Sequence, residues 1–159
     1  MTDRIEPVSV SRWIAASPEE VFALVREPSR HVDFDGSGML RGALDYGPVE
    51  GAGDVFVMRM YHEQFGDYEM ANTVVEFEPD RLIAWEPSRH DEEAEHWHYR
   101  WRYSFSPEGG GTLVTESFDL SSSPPAACQA TKGGTVWLEA MRESLARLDK
   151  LCTSRPAAG

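Results

Sequence analysis

Trp97-His98-Tyr99-Arg100-Trp101-Arg102-Tyr103-Ser104-Phe105 decides the fold. An aromatic ring falls at every second position, and His98, Arg100, Arg102 and Ser104 fill the alternates. A strand sends successive side chains to opposite faces, so one face is wholly aromatic and the other polar. A one-residue slip would put five rings in water, which fixes the register. The stretch predicts a strand over Trp97–Ser106. Its aromatic face has two readings: ordinary packing beneath a cover, or the wall of a pocket whose Tyr and Trp polar tips have partners to find.

Working outward, period-two alternation and turn signals predict further strands. They cover Pro7–Ala15, Met39–Tyr46, Asp54–His62, Tyr68–Glu78, Arg81–Pro87 and Thr112–Leu120. Gly47-Pro48, Gly51-Ala52-Gly53, Gly66-Asp67, Pro79-Asp80 and Gly109-Gly110-Gly111 separate them. Six consecutive strands with short connections predict an antiparallel meander. Asp91–Glu95 is expected to be a solvated acidic loop.

Ser17-Pro18-Glu19-Glu20 reads as a helix start, with Ser17 as cap, Pro18 in the first helical position and Glu20 three residues after the cap. Pro28 ends that helix, and Pro28–Phe34 predicts a second short one. At the other end, Trp137, Met141, Leu145, Leu148 and Cys152 recur at helical spacing. They predict a helix from about Lys132 to Cys152, roughly 31 Å long at 1.5 Å per residue. A seven-stranded antiparallel sheet needs a cover on its apolar face, and only this helix is long enough. A twisted sheet curves away from a straight helix, and the gap is either filled or left as a pocket.

The fold class expected is therefore α+β. The chain of 159 residues carries 15 Lys+Arg against 27 Asp+Glu, a formal net charge of −12. One domain is predicted, with a core of about 7–152 and a flexible tail over 153–159. The acidic balance argues against nucleic-acid binding and against docking on anionic membranes. The longest apolar run, Val21–Val25, excludes a transmembrane helix by length. Two cysteines without a CxxC, and no secretory signal pattern, predict a cytoplasmic protein without a disulfide framework.

Three segments resemble a known family. They are Val8–Val25 (VSVSRWIAASPEEVFALV), Val75–Trp85 (VEFEPDRLIAW) and Tyr99–Asp119 (YRWRYSFSPEGGGTLVTESFD). Each is similar to START-like (SRPBCC) proteins of the polyketide cyclase/dehydrase type. The resemblance implies the helix-grip architecture: a seven-stranded antiparallel sheet curved around a long C-terminal helix, two short helices between strands 1 and 2, and an internal cavity. Its members include lipid carriers, secondary-metabolite binders, aromatase/cyclases and chaperone co-activators. Such a fold speaks to function only by analogy.

The expected function is binding or carriage of a small hydrophobic ligand: a lipid, a polyketide or an aromatic metabolite. The alternatives are a polyketide aromatase/cyclase or dehydratase, and a chaperone-activator-like interaction module. Trp85, Tyr99, Trp101, Tyr103, Tyr61 and Phe118 are candidate wall residues, with Trp137 and Met141 facing them from the helix. Arg59 and Tyr61 share a parity on the third strand, and Glu116 shares one with Val114 and Phe118 on the last. If Arg59 points inward it needs a carboxylate, and Glu116 becomes a polar anchor or an acid/base partner. If Phe56, Met58 and Met60 point inward instead, Arg59 is solvated; both faces are about equally apolar.

His96 and His98 share a face near Asp91–Glu95 but lack a fixed third ligand, so no metal is assigned. His31 is expected at the surface. No nucleophile elbow, phosphate loop or dinucleotide fingerprint occurs, so no cofactor is expected. Asp33–Gly38 and Lys132-Gly133-Gly134 have two readings, mobile segments at a cavity mouth or plain connections. A monomer or weak homodimer is expected.

Overall fold

The computed structural model describes residues 6–44, 47–64, 66–89 and 97–154. Tyr46, the acidic stretch Asp91–Glu95, His90, His96 and the end of the predicted tail lie outside these residues. Seven strands form one sheet: β1 (Val8–Ile14), β2 (Leu40–Ala43), β3 (Val55–His62), β4 (Gly66–Glu78), β5 (Leu82–Arg89), β6 (Arg100–Glu108) and β7 (Gly111–Asp119). Their spatial order is β1-β7-β6-β5-β4-β3-β2, and every neighbouring pair is antiparallel. The six-strand meander is present, and β1 closes its far edge. Register shifts between Val74 and Glu76 on β4, and between Leu40 and Gly42 on β2, mark bulges. Bulges bend strands and increase twist, and this sheet curls into a half-barrel.

α1 (Pro18–Val25) begins where its capping sequence places it: the Glu20 backbone N–H donates to Ser17 Oγ at 3.2 Å. It buries Val21, Phe22 and Val25. A single 3₁₀ turn, Pro28–Arg30, leads into α2 (His31–Phe34), which buries His31 and Phe34.

The C-terminal segment departs from the expected single helix. Pro125–Ala130 forms a separate helix, α3, ahead of the stretch where the helix was expected to begin. Lys132, Gly133 and Gly134 then adopt left-handed φ of 51°, 68° and 89°, which interrupts the helix. After a 3₁₀ turn at Thr135–Trp137, α4 runs Leu138–Thr153. Its 16 residues span about 24 Å. Pro125 at a first helical position followed by Ala-Ala-Cys-Gln-Ala was the signal for α3. A Cβ on Gly134 would stand 2.8 Å from the Phe118 ring, so glycine lets this turn press against β7.

α4 buries Met141, Ser144, Leu145 and Leu148 against the concave face of the sheet. Its other end is tied to β1 by Arg12 Nε donating to Asp149 Oδ2 at 2.7 Å. On the convex face Arg100 and Arg102 pair with Glu76 and Glu86 at 2.6–2.7 Å. The polar alternates of the aromatic strand thus form a half-exposed ion-pair ladder.

The observed β6 begins at Arg100, three residues later than predicted. His98 has φ of +53°, and pairing with β5 reaches only from Leu82↔Ser104 to Trp85↔Trp101. Trp97 therefore packs on the core from outside the sheet.

Candidate functional site: a cavity between the sheet and the helix

The space between α4 and the sheet is filled at one end and hollow at the other. At the filled end Phe22 meets Phe105 and Phe77, each at 5.5 Å between ring centroids. Ile14, Val21, Val25, Leu145 and Leu148 complete it, all essentially without exposure. At the other end is a cavity of about 220 Å³.

The aromatic stripe divides between the two ends. Phe105 belongs to the packed core, whereas Tyr99, Trp101 and Tyr103 line the cavity together with Trp85. Trp137 and Met141 line it from the helix side. Phe118 stands behind the wall as a fully buried support, with ring centroids 4.6 Å from Trp101 and 5.3 Å from Tyr99.

Two candidates lie elsewhere. Tyr61 is 37% exposed and faces outward under the Arg41 guanidinium, 5.1 Å above its ring. Arg59 shares that face, is exposed, and sits opposite Glu69 in the register. Phe56 and Met58 are buried, and with Met60 they line the cavity. β3 turns Phe56, Met58 and Met60 to the cavity and leaves the Arg59 guanidinium in water, which avoids the cost of burying a charge.

Glu116 is 5% exposed and points inward on β7, as its parity with Val114 and Phe118 requires. Burial pushes its carboxyl up to about 8. A hydrogen bond from the Tyr103 hydroxyl works against that rise, and the nearby Asp35 charge adds to it. The carboxyl is thus mainly protonated at neutral pH. Its Oε1 has no hydrogen-bond partner among the described residues, and neither has the buried indole Nε1 of Trp137. Burial also raises Tyr103 well above the usual phenol range and Tyr99 to about 12.

Sequence reasoning missed two features of this wall. The first is His31, which is 6% exposed and stacks on Trp85 at 5.3 Å, with Trp85 stacked in turn on Tyr103 at 5.8 Å. Its Nε2 lies 2.6 Å from the Val25 carbonyl oxygen and donates to it. Burial lowers the imidazole to about 4, so it is neutral. Nothing in the pattern of α2 distinguishes a buried histidine from a solvated one. The second feature is methionine. The chain has six, and Met39, Met58, Met60, Met70 and Met141 all line the cavity. That signal was readable once β3 had a facing, because Met58 and Met60 share it and the register places Met70 opposite Met58.

Ser37, Trp137 and Ala140 border both the cavity and a surface groove that continues over Gly36, Glu139 and Glu143. The mouth thus lies between the loop after α2 and the start of α4. The loop is tied down: the Gly36 N–H donates to Ser144 Oγ at 2.8 Å, and Arg147 Nη1 donates to the Asp35 carbonyl at 2.7 Å. A Cβ on Gly36 would come within 2.4 Å of the Ala140 carbonyl oxygen. Among the described residues no group of three His, Cys, Asp or Glu side chains could hold a metal ion. No helix among them is long and apolar enough to cross a membrane.

A curled seven-stranded sheet gripping a C-terminal helix, with two short helices after the first strand, is the architecture of the START-like superfamily. Within it, the chain belongs to the family described as polyketide cyclase/dehydrase and lipid transport, whose model matches residues 7–153. The uncharacterized Mycobacterium tuberculosis protein Rv0088 is 36% identical over 135 residues, or 83% of this chain and 53% of its own length. A second M. tuberculosis protein, MT0096, is 35% identical over the same span. The chain spans about half the length of these curated relatives. Among solved structures, Ms6760 from Mycobacterium smegmatis shares the fold with a TM-score of 0.70 at 16% identity, covering 96% of this chain and 97% of its own. An AHSA1-like protein from Aeromonas hydrophila does so with a TM-score of 0.63 at 16% identity, covering 97% and 99%.

Proposed function

We propose that this protein binds a small, largely apolar ligand in the cavity between α4 and the sheet. The observation that carries the reading is the cavity wall itself. About 220 Å³ of space is bounded by aromatic rings and five methionines, in a molecule whose other half is packed solid. Empty apolar space forfeits dispersion contacts, and a guest restores them. Methionine adapts its shape to different guests, and a wall rich in it suits ligand binding better than a unique core. The volume also bounds the ligand. A cavity of about 150 Å³ accommodates benzene, so this one suits one or two rings. A long acyl chain would have to extend through the mouth.

Intrinsic fluorescence tests the reading, because Trp85, Trp101 and Trp137 line the cavity. Titration with a panel of uncharged one- and two-ring aromatic probes is expected to give a saturable, one-to-one response. A flat response across the panel would contradict it.

Glu116 favours a second reading, a cyclase or dehydratase acting on the bound guest. A protonated carboxyl in an apolar wall is equipped to give a proton to a substrate carbonyl. In that case Glu116→Gln abolishes turnover and leaves ligand affinity near normal. The interaction-module alternative has less support. It expects a filled cavity and a contiguous exposed apolar patch, whereas the cavity is open and the exposed large hydrophobics among the described residues are Trp13, Val32, Val55, Tyr61 and Val136, of which only Val55 and Tyr61 share an element.

A further inference from the structure

We propose that Glu116 and Trp137 are the specificity-determining residues of the cavity, selecting an uncharged carbonyl compound of up to about two fused rings and rejecting carboxylates. The inference rests on the ligand-binding reading above and adds to it the chemistry of the guest.

Three observations carry it. The first is that the wall contains unmet hydrogen-bonding capacity. Among the described residues Glu116 Oε1, Trp137 Nε1 and Ser123 Oγ are buried without partners, and only the first two residues line the cavity, where His31 and Asn72 have partners within the protein. His31 uses the Val25 carbonyl, and Asn72 Nδ2 donates to the Phe56 and Met70 carbonyls at 3.2 Å. A buried polar atom left unpaired has lost its water without replacement, and a matching guest atom restores the hydrogen bond.

The second observation is the kind of capacity left over. An indole N–H can only donate. The Glu116 carboxyl is protonated at neutral pH and accepts from the Tyr103 hydroxyl, so its own proton is the part left to give. Both residues therefore look for an acceptor, and a neutral carbonyl oxygen is one that brings no charge.

The third observation concerns charge. Among the described residues the cavity lining includes Asp35 and Glu116 but no Arg or Lys, and His31 is neutral. An anionic guest would enter a low-dielectric space beside Asp35 with no cation among those residues to meet it. The net charge of −12 opposes its approach as well.

The test uses three probes with one apolar body: 2-acetylnaphthalene, 2-ethylnaphthalene and 2-naphthoate, titrated calorimetrically into the full chain at pH 7. The expected result is that the ketone binds at least tenfold more tightly than the ethyl compound, and that the carboxylate does not bind measurably. Trp137→Phe removes the N–H while keeping a ring, and is expected to cut the ketone's advantage severalfold without weakening the ethyl compound. Glu116→Leu is expected to do the same, and Glu116→Gln, which keeps a donor, to restore it. Thermal melts of each variant confirm folding. If Glu116→Leu does not fold, Trp137→Phe and Glu116→Gln still decide. Equal affinity for ketone and ethyl compound would overturn the proposal and leave the cavity reading standing. So would naphthoate binding as tightly as the ketone, or an advantage indifferent to both residues. Failure of all three probes to bind would overturn both.

Discussion

Thr112 and Glu116 stand four residues apart on the same inward face of β7, and they show how the two ends of the molecule differ. Thr112 lies in the packed end, has no exposure, and its Oγ1 donates to the Ala16 carbonyl at 2.7 Å. Glu116 lies in the hollow end, is nearly as buried, and has an oxygen with no partner. One strand thus carries a polar group finished by the protein and another left for something else. The same division runs along β6, from Phe105 in the core to Trp101 in the wall, and along α4, from Leu148 to Met141. The packed end supplies stability, and this lets the hollow end keep unfilled space and an uncompensated carboxyl.

The largest expected effect tests the packing contrast. Phe22→Ala removes a ring enclosed by Phe77 and Phe105 and is expected to cost about 3–5 kcal/mol in urea unfolding. Met60→Ala removes a half-buried side chain that already borders empty space, and is expected to cost under about 1.5 kcal/mol. Equal costs would mean that the two ends are equally packed.

Next comes the pH dependence tied to Glu116. Its folded value of about 8 lies above the ordinary 4.5, so between those values the folded state keeps a proton that the unfolded chain has released. Stability from this group therefore falls as pH rises through that window and is level above about 8. His31, lowered to about 4, acts in the opposite sense: it adds stability as pH rises from 4 to 6.5 and is then saturated. The two oppose each other below 6.5, and from 6.5 to 8 the Glu116 contribution stands alone. Glu116→Gln is expected to be more stable than the wild type at pH 8.5, by on the order of a few kcal/mol, with the gap closing toward pH 5. A gap independent of pH would show that Glu116 is already ionised at pH 5.

The smallest effect belongs to the satisfied partner in the comparison. Thr112→Val strands the Ala16 carbonyl and is expected to cost about 1–2 kcal/mol at every pH.

The fold was legible because its elements obey local rules. Strict alternation fixed the aromatic strand, Ser17-Pro18-Glu19-Glu20 fixed the start of α1, and turn residues separated the strands of the meander. The C-terminal break was less legible, because the apolar spacing of Trp137, Met141, Leu145 and Leu148 continues smoothly into a turn that does not. Only the left-handed backbone at Lys132–Gly134 shows where the helix stops. Of the candidate site, Trp85, Tyr99, Trp101, Tyr103, Glu116, Trp137 and Met141 were readable from parity and helical spacing. Tyr61 and Arg59 were not, because both faces of β3 are apolar and the deciding fact is non-local. The inward facing is settled by the wall that Met58 and Met60 build together with Met70 across the pairing, which leaves the Arg59 guanidinium in water. His31 was hidden for a related reason: its burial depends on Trp85, Phe56 and Phe34 closing around a helix of one turn.

Methyl-labelled methionine offers the most direct test of the cavity. In a ¹³C-methyl spectrum of the protein titrated with 2-ethylnaphthalene, the resonances of Met39, Met58, Met60, Met70 and Met141 are expected to shift saturably. They should also show nuclear Overhauser contacts to the probe's ring protons. A spectrum in which these methyls stay still at saturating probe, or in which only surface methyls respond, would contradict the account.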